Sequence, residues 1–127
     1  MKLSITSPDA PIPVGPYSPA VRAGDLLFIS GQIPLDPATG RLVEGDIQTQ
    51  TRQAIENLRA LLAAAGLSLQ AVVRTTIYLA DMDDFPAVND AYAAFFSKPY
   101  PARSTIQAAR LPRDARIEID AIATCGG

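Results

Sequence analysis

The sequence predicts an α+β fold, a mixed β-sheet with two helices packed on one of its faces. Three observations lead there. The apolar periodicity alternates between strand-like and helical along the chain. Proline and glycine punctuate each change. The 127 residues, 48% hydrophobic and 19% charged, suit a single domain, 1–127, that buries an ordinary core without disulfides.

The elements follow in order. The prolines at 8, 11, 13, 16 and 19, with Gly15, describe an extended loop that is neither helix nor central strand. Leu26 to Gln32 (Leu-Leu-Phe-Ile-Ser-Gly-Gln) is a buried strand, paired as a hairpin with Val21 to Ala23 through the Gly24-Asp25 turn. Asp36-Pro37-Ala38-Thr39-Gly40 makes another turn. From Asp46 the period is helical: Ile47, Thr51, Ala54, Ile55, Leu58, Leu61, Leu62 and Ala65 form one stripe. Asp46 as N-cap and Gly66 at the other end bound a helix of about 28 Å.

Val72 to Leu79 is rich in β-branched residues and reads as a strand. Asp83 then caps a second helix to about Phe96, with Pro86 tolerated in its first turn and Val88, Ala91, Tyr92 and Phe95 on its apolar face. Two more strands, Arg103 to Ala109 and Arg116 to Ala123, flank the Leu111-Pro112-Arg113-Asp114 turn. With both helices on one face, the other face of so apolar a sheet needs a partner.

Composition narrows the chemistry. Histidine is absent, which removes Ser-His-Asp and Cys-His catalysis and imidazole metal sites. The single cysteine, Cys125, forms no disulfide within the chain. Only Lys2 and Lys98 are lysines, so Schiff-base chemistry is poorly supplied, whereas arginine for bidentate carboxylate recognition is plentiful. A net charge of −2 and a pI near 4.9 argue against nucleic acid or an anionic membrane as partner. Met1 to Asp9 lacks the apolar stretch of a signal peptide, and no run approaches the ~20 residues that span a bilayer. A soluble cytoplasmic protein is expected.

Two residues stand out. Arg103 opens a strand directly after a proline-rich loop, where a rigid backbone aims a guanidinium suited to a carboxylate; a solvated arginine at a strand end looks the same in sequence. Of three glutamates, Glu118 alone lies in a predicted strand, where alternation sets it opposite Ile117 and Ile119. There it suits general acid/base work, with Asp120 on the same face raising its pKa, or belongs to a wet sheet face. Ser30-Gly31-Gln32 interrupts an apolar strand, as a β-bulge or as a place where a ligand approaches the backbone. Tyr17 is a loop lid or a core plug, and Asn89 lies on the second helix.

Taken together, Gly15-Pro16-Tyr17-Ser18, Ile29-Ser30-Gly31-Gln32-Ile33-Pro34, Asp81-Met82-Asp83-Asp84-Phe85, Asn89-Asp90-Ala91-Tyr92, and Pro101-Ala102-Arg103-Ser104 through Arg110-Leu111-Pro112 to Ile117-Glu118-Ile119 resemble the RidA family, also called YjgF/YER057c/UK114. The resemblance runs from Ser7 to Ala123. It implies a chorismate-mutase-like α+β sandwich in a homotrimer with ligand sites between subunits. It also implies hydrolysis of reactive enamines and imines (2-aminoacrylate/2-iminopropanoate, 2-iminobutanoate) to 2-oxo acids and ammonia, with no metal or organic cofactor.

By position, Arg103 would clamp the substrate carboxylate and Glu118 would orient or activate water. Tyr17, Ser30, Gly31 and Asn89 would line the pocket, and the backbone at Thr105 would bond the ligand. Thr105 stands where many members carry cysteine, so no thiol acts there, and Ser97 to Pro101 is shorter than in familiar members. The alternative function is a non-catalytic trimeric sensor of small 2-oxo acids or amino acids. Ribonuclease activity fits poorly with an acidic, histidine-free chain.

Overall fold

The structure, a computed structural model, describes residues 1–126. Strands β1 (Lys2–Ile5), β2 (Ala20–Ala23), β3 (Leu26–Gln32), β4 (Val72–Leu79), β5 (Ala102–Gln107) and β6 (Ile117–Thr124) form one sheet. Their order is β1-β2-β3-β6-β4-β5. The β4–β5 pair is parallel and every other pair antiparallel, so the sheet is mixed. Helix α1 (Ile47–Ala64) connects β3 to β4 across the sheet, and α2 (Phe85–Ala93) is the crossover between the parallel neighbours β4 and β5. The N-terminal strand β1 is an element the sequence did not announce. It is four residues long, mostly exposed, and held by pairing with β2 rather than by burial.

Alternation along the strands puts Leu27, Ile29, Val72, Ile77, Leu79, Ile117, Ile119, Ala121 and Ala123 on one face, packed in a single core with Ile55, Leu58 and Leu62 of α1 and Val88 and Tyr92 of α2. Both helices thus cover one face, as expected. Each fully buried Leu or Ile contributes roughly 1.5–3 kcal/mol of transfer free energy. The other face is left open, with Leu26, Phe28 and Ile106 at 39, 42 and 47% exposure. Its remaining positions include the polar Ser30, Tyr78, Glu118 and Asp120, so the uncovered face is only partly apolar.

The N-cap of α1 holds, while its C-cap is Ala65, with Gly66, expected as the cap, one residue beyond. Asp46 Oδ1 accepts from the Thr49 amide at 2.8 Å and from the Thr49 hydroxyl at 2.9 Å, and these bonds hold its carboxyl below the ordinary range. At the far end Gly66 takes φ +76°, which lets its amide reach Ala63 O at 2.9 Å and the Leu67 amide reach Leu62 O at 2.8 Å. The whole predicted stripe from Ile47 to Leu62 is buried. So is Asn57, whose Nδ2 donates to the carbonyls of Ile33 and Leu35 while its Oδ1 accepts from Gln53. A buried amide with both ends satisfied fixes the loop that leaves β3 against α1.

The second helix departs from expectation at both ends. Asp83 does not cap it: the N-cap of the α-helix is Asp84, which makes no side-chain capping bond, and Asp81 instead caps a preceding 3-10 turn over Met82–Asp84, its Oδ1 accepting from the Asp83 amide at 2.9 Å. The α-helix begins only at Phe85: Pro86 has no N–H to give the Met82 carbonyl, which accepts instead from the Phe85 amide and closes the 3-10 turn. It stops at Ala93, where the amides of Ala94 and Phe95 tighten onto carbonyls three residues back. Phe96 is still buried. Strand β5 ends at Gln107 rather than Ala109, and β6 runs one residue past Ala123. Between them Arg113 and Asp114 adopt φ near +57° and +56°, turning the chain back toward the sheet.

Candidate functional site

Parallel pairing sets Arg103 beside Thr75 and Thr105 beside Ile77, so both side chains share the helix-covered face of the edge strand β5. There α2 meets Arg103 with a stripe of Phe85, Asn89 and Tyr92, spaced by four and three residues. Arg103 Nη2 donates to Asn89 Oδ1 at 2.7 Å, and the guanidinium carbon lies 4.9 Å from the Tyr92 ring centroid and 5.6 Å from that of Phe85. Tyr92 is itself fixed, sharing a hydrogen bond of 2.8 Å with the Thr75 hydroxyl and stacking on Phe96 at 4.4 Å.

The guanidinium is therefore half-buried, oriented by one hydrogen bond and two ring faces. Among the described residues no carboxylate pairs with it. That is not how a freely solvated strand-end arginine is held. With Asn89, Tyr92, Ala93, Tyr100 and Pro101 it borders a hollow of about 320 Å³. Thr105 lies beside a neighbouring depression with Met82, Asp83, Phe85 and Pro86, and its buried hydroxyl oxygen has no partner.

Glu118 occupies the other face. It stands directly opposite Tyr78 on β4 and points away from its buried neighbours Ile117 and Ile119. The β3–β6 register slips between Ile29 and Gln32, and the slip brings Gly31 under the Glu118 side chain. A Cβ at position 31 would lie 2.7 Å from the Glu118 carboxyl carbon and overlap its Oε2. The bulge is there, and what approaches the Gly31 backbone is the Glu118 carboxylate of the same chain, so glycine is required for room rather than for an unusual φ.

Burial pushes the Glu118 carboxyl above its ordinary value, and the Asp120 charge raises it further. The expected direction stands; burial outweighs the neighbouring charge. Ser30 has a more structural part than a pocket lining suggests. Its hydroxyl donates to the Ser18 carbonyl at 2.6 Å and its amide to the Pro19 carbonyl at 2.9 Å, tying the proline loop to β3. Tyr17 of that loop, about half exposed, borders with Ser30, Gly31 and Glu118 a hollow of about 410 Å³ whose outer wall includes Ile12 and Val14.

The structure thus brings together Tyr17, Ser30, Gly31 and Glu118, and separately Asn89, Arg103 and Thr105. It does not unite the two sets, because the sheet lies between them. Sequence reasoning missed Phe85 and Tyr92 as the seat of Arg103, although their helical spacing with Asn89 carried the signal. It also missed Tyr78, which only the β4–β6 register places against Glu118. Among the described residues no group of three or more His, Cys, Asp or Glu side chains is placed to hold a metal ion, and no helix is long and apolar enough to cross a membrane.

Comparison with known proteins bears on this geometry. The family model described as Endoribonuclease L-PSP matches residues 7–125. A RutC family protein of Pyrococcus horikoshii is 54% identical over 97% of this chain and 98% of its own. A Salmonella typhimurium protein named 2-iminobutanoate/2-iminopropanoate deaminase is 45% identical over 97% and 98%. Among solved structures, the E. coli YjgF gene product and E. coli TdcF with bound serine each superpose with a TM-score of 0.91 at 42% identity, covering 96% of this chain and 98% of theirs.

Proposed function

The chain belongs to the Endoribonuclease L-PSP family, which includes the RidA/YjgF proteins, and from that premise we propose that it hydrolyses small 2-imino acids to 2-oxo acids and ammonia. The observation that carries this assignment is Arg103: a guanidinium fixed by Asn89, Tyr92 and Phe85, bordering a hollow and, among the described residues, paired with no carboxylate. Its unused N–H groups offer the parallel pair that a substrate carboxylate accepts. A 2-imino acid is already electrophilic at C2 when protonated, so positioning supplies most of what the reaction needs.

The second requirement is a proton carrier. Water adds through its oxygen to C2, and Glu118 takes the proton that water gives up. Glu118 returns that proton to the nitrogen; as the C–N bond breaks, the carbinol O–H gives its remaining proton back to Glu118 and the C=O forms, so a 2-oxo acid and ammonia leave and Glu118 passes the proton on to water. A carboxyl whose burial and acidic neighbour raise its affinity for a proton suits both transfers. Because Arg103 and Glu118 lie on opposite faces of one sheet, a complete site needs Arg103 from one chain and Glu118 from another. A homotrimer with its sites between subunits meets that need, and the partly apolar open face supplies surface for it.

The test is a 2-imino acid generated in place by an amino-acid oxidase, its decay followed with and without the protein. Glu118→Gln should lower hydrolysis about 100-fold or more while 2-oxo acid binding persists. Full activity in a correctly assembled Glu118→Gln protein removes Glu118 from the mechanism. A second reading, a sensor of amino or oxo acids, is favoured by the serine bound in the TdcF relative. Ligand binding with no acceleration of imine decay would establish it instead.

A further inference from the structure

The open sheet face carries a polar cluster that the proposed reaction does not yet use. Glu118 and Asp120 alternate along β6, Tyr78 stands across from Glu118, and its hydroxyl donates to Asp120 Oδ2 at 3.1 Å. We propose that Asp120, held in place by Tyr78, is a positioning residue whose fixed negative charge tunes how readily Glu118 takes and gives up the water proton. The inference rests on the role assigned to Glu118 above.

The surroundings leave Asp120 as the charge that acts on Glu118. On the same strand segment the nearest cation, Arg116, is turned into a pair with Asp84 at 3.2 Å. From β4 come Thr76 and Tyr78, and Arg74 is bonded to the Ser104 hydroxyl at 2.8 Å. From β3 come Ser30 and Gly31, which do not titrate, and from the proline loop Tyr17. In the turn before β6, Arg113 donates to the Gly40 carbonyl at 2.7 Å and Asp114 pairs with Arg110 at 2.8 Å. No arginine or lysine pairs with either Glu118 or Asp120 among the described residues.

The Tyr78 hydroxyl bonded to Asp120 Oδ2 holds that carboxylate at one place on the face it shares with Glu118. Burial and that bond push the Tyr78 phenol upward, which keeps it a donor throughout. Burial raises the Glu118 carboxyl most, and the like charge two residues away on the same face raises it further. The arrangement keeps a base strong enough to accept a proton from water and acidic enough to release it to nitrogen.

The experiment is the pH profile of kcat/KM for imine hydrolysis in the assembled wild type, Asp120→Asn and Tyr78→Phe, with the Glu118 carboxyl followed by carbon NMR in parallel. Asp120→Asn should shift the acid limb and the NMR titration together to lower pH. Its plateau rate should fall far less than the 100-fold or so expected for Glu118→Gln, with 2-oxo acid binding unchanged. Tyr78→Phe, which removes only the hydroxyl and frees Asp120 to turn toward water, should give a smaller shift in the same direction. It carries the test by itself if Asp120→Asn does not assemble.

An unmoved limb and titration in a properly assembled variant overturn the role of Asp120 while leaving Glu118 in place. A wild type that hydrolyses no imine overturns the reaction and this role together.

Discussion

The two polar regions flanking the sheet are built on opposite principles. On the helix-covered side Arg103 is held by a hydrogen bond and two aromatic faces, contacts that favour its charge and fix its direction. On the open side Glu118 lies half-buried over a glycine beside a second carboxylate and, among the described residues, pairs with no cation. One region holds a permanent charge ready for a ligand. The other holds a charge at a cost, which is what a group that must exchange a proton requires. In the proposed reaction neither is a site alone.

The sharpest way to break that contrast is at the arginine. Arg103→Ala removes two charge-assisted hydrogen bonds to the substrate carboxylate, so kcat/KM should fall roughly 100- to 10,000-fold, with 2-oxo acid binding lost in calorimetry. Arg103→Lys should restore little, because an ammonium cannot reproduce the fork. Equal binding by wild type and Arg103→Ala would reduce Arg103 to a packing residue.

Mixing tests whether the two regions meet across chains. Arg103→Ala and Glu118→Gln proteins, unfolded together in equal amounts and refolded, should recover about a quarter of wild-type sites when each site draws one residue from each of two chains. Recovery of nothing in well-assembled mixed oligomers would place both residues of a site in one chain. Gly31→Ala comes next. Its methyl displaces the Glu118 carboxylate, and a misplaced base should lower kcat about 10- to 100-fold with little change in KM.

The smallest effect is thermal. Folding raises the Glu118 pKa, so its contribution to stability is fully present below the unfolded pKa and is lost as pH rises through the folded one. At neutral pH the ionised carboxylate is therefore unfavourable, and Glu118→Gln should melt slightly above wild type there, the gain vanishing as the pH falls to acid values. No gain at neutral pH would mean that a cation reaches Glu118 in the assembly, sharpening the case for Arg103 of a second copy.

Local chemistry was legible where one residue type permits one conformation. Asp46 and Gly66 bounded α1 because a capping carboxylate and a left-handed glycine have few other uses at those spacings. The bounds of β3 and β4 agree with their sequence patterns to the residue. Legibility failed where neighbours decide. β1 is too short and too exposed to leave a hydrophobic signature, and exists through its pairing with β2. Asp83 does not cap α2 because a 3-10 turn capped by Asp81 precedes the helix, closed by the Phe85 amide where Pro86 has no N–H to offer.

For the site, the sequence by itself determined which groups are available: a histidine-free chain with an arginine after a proline-rich loop and a glutamate alternating with isoleucines. It determined the face of Glu118 as well, because a strand's period of two admits only one choice once Ile117 and Ile119 are buried. Only the tertiary structure decided the rest. The parallel register of β4 and β5 put Arg103 on the opposite face, the slip between β3 and β6 slid Gly31 under the carboxylate, and the β4–β6 register delivered Tyr78 to Asp120. Register is a property of two strands together: a shift of one residue sends every side chain to the other face, and no single strand's sequence records which shift its neighbour has taken.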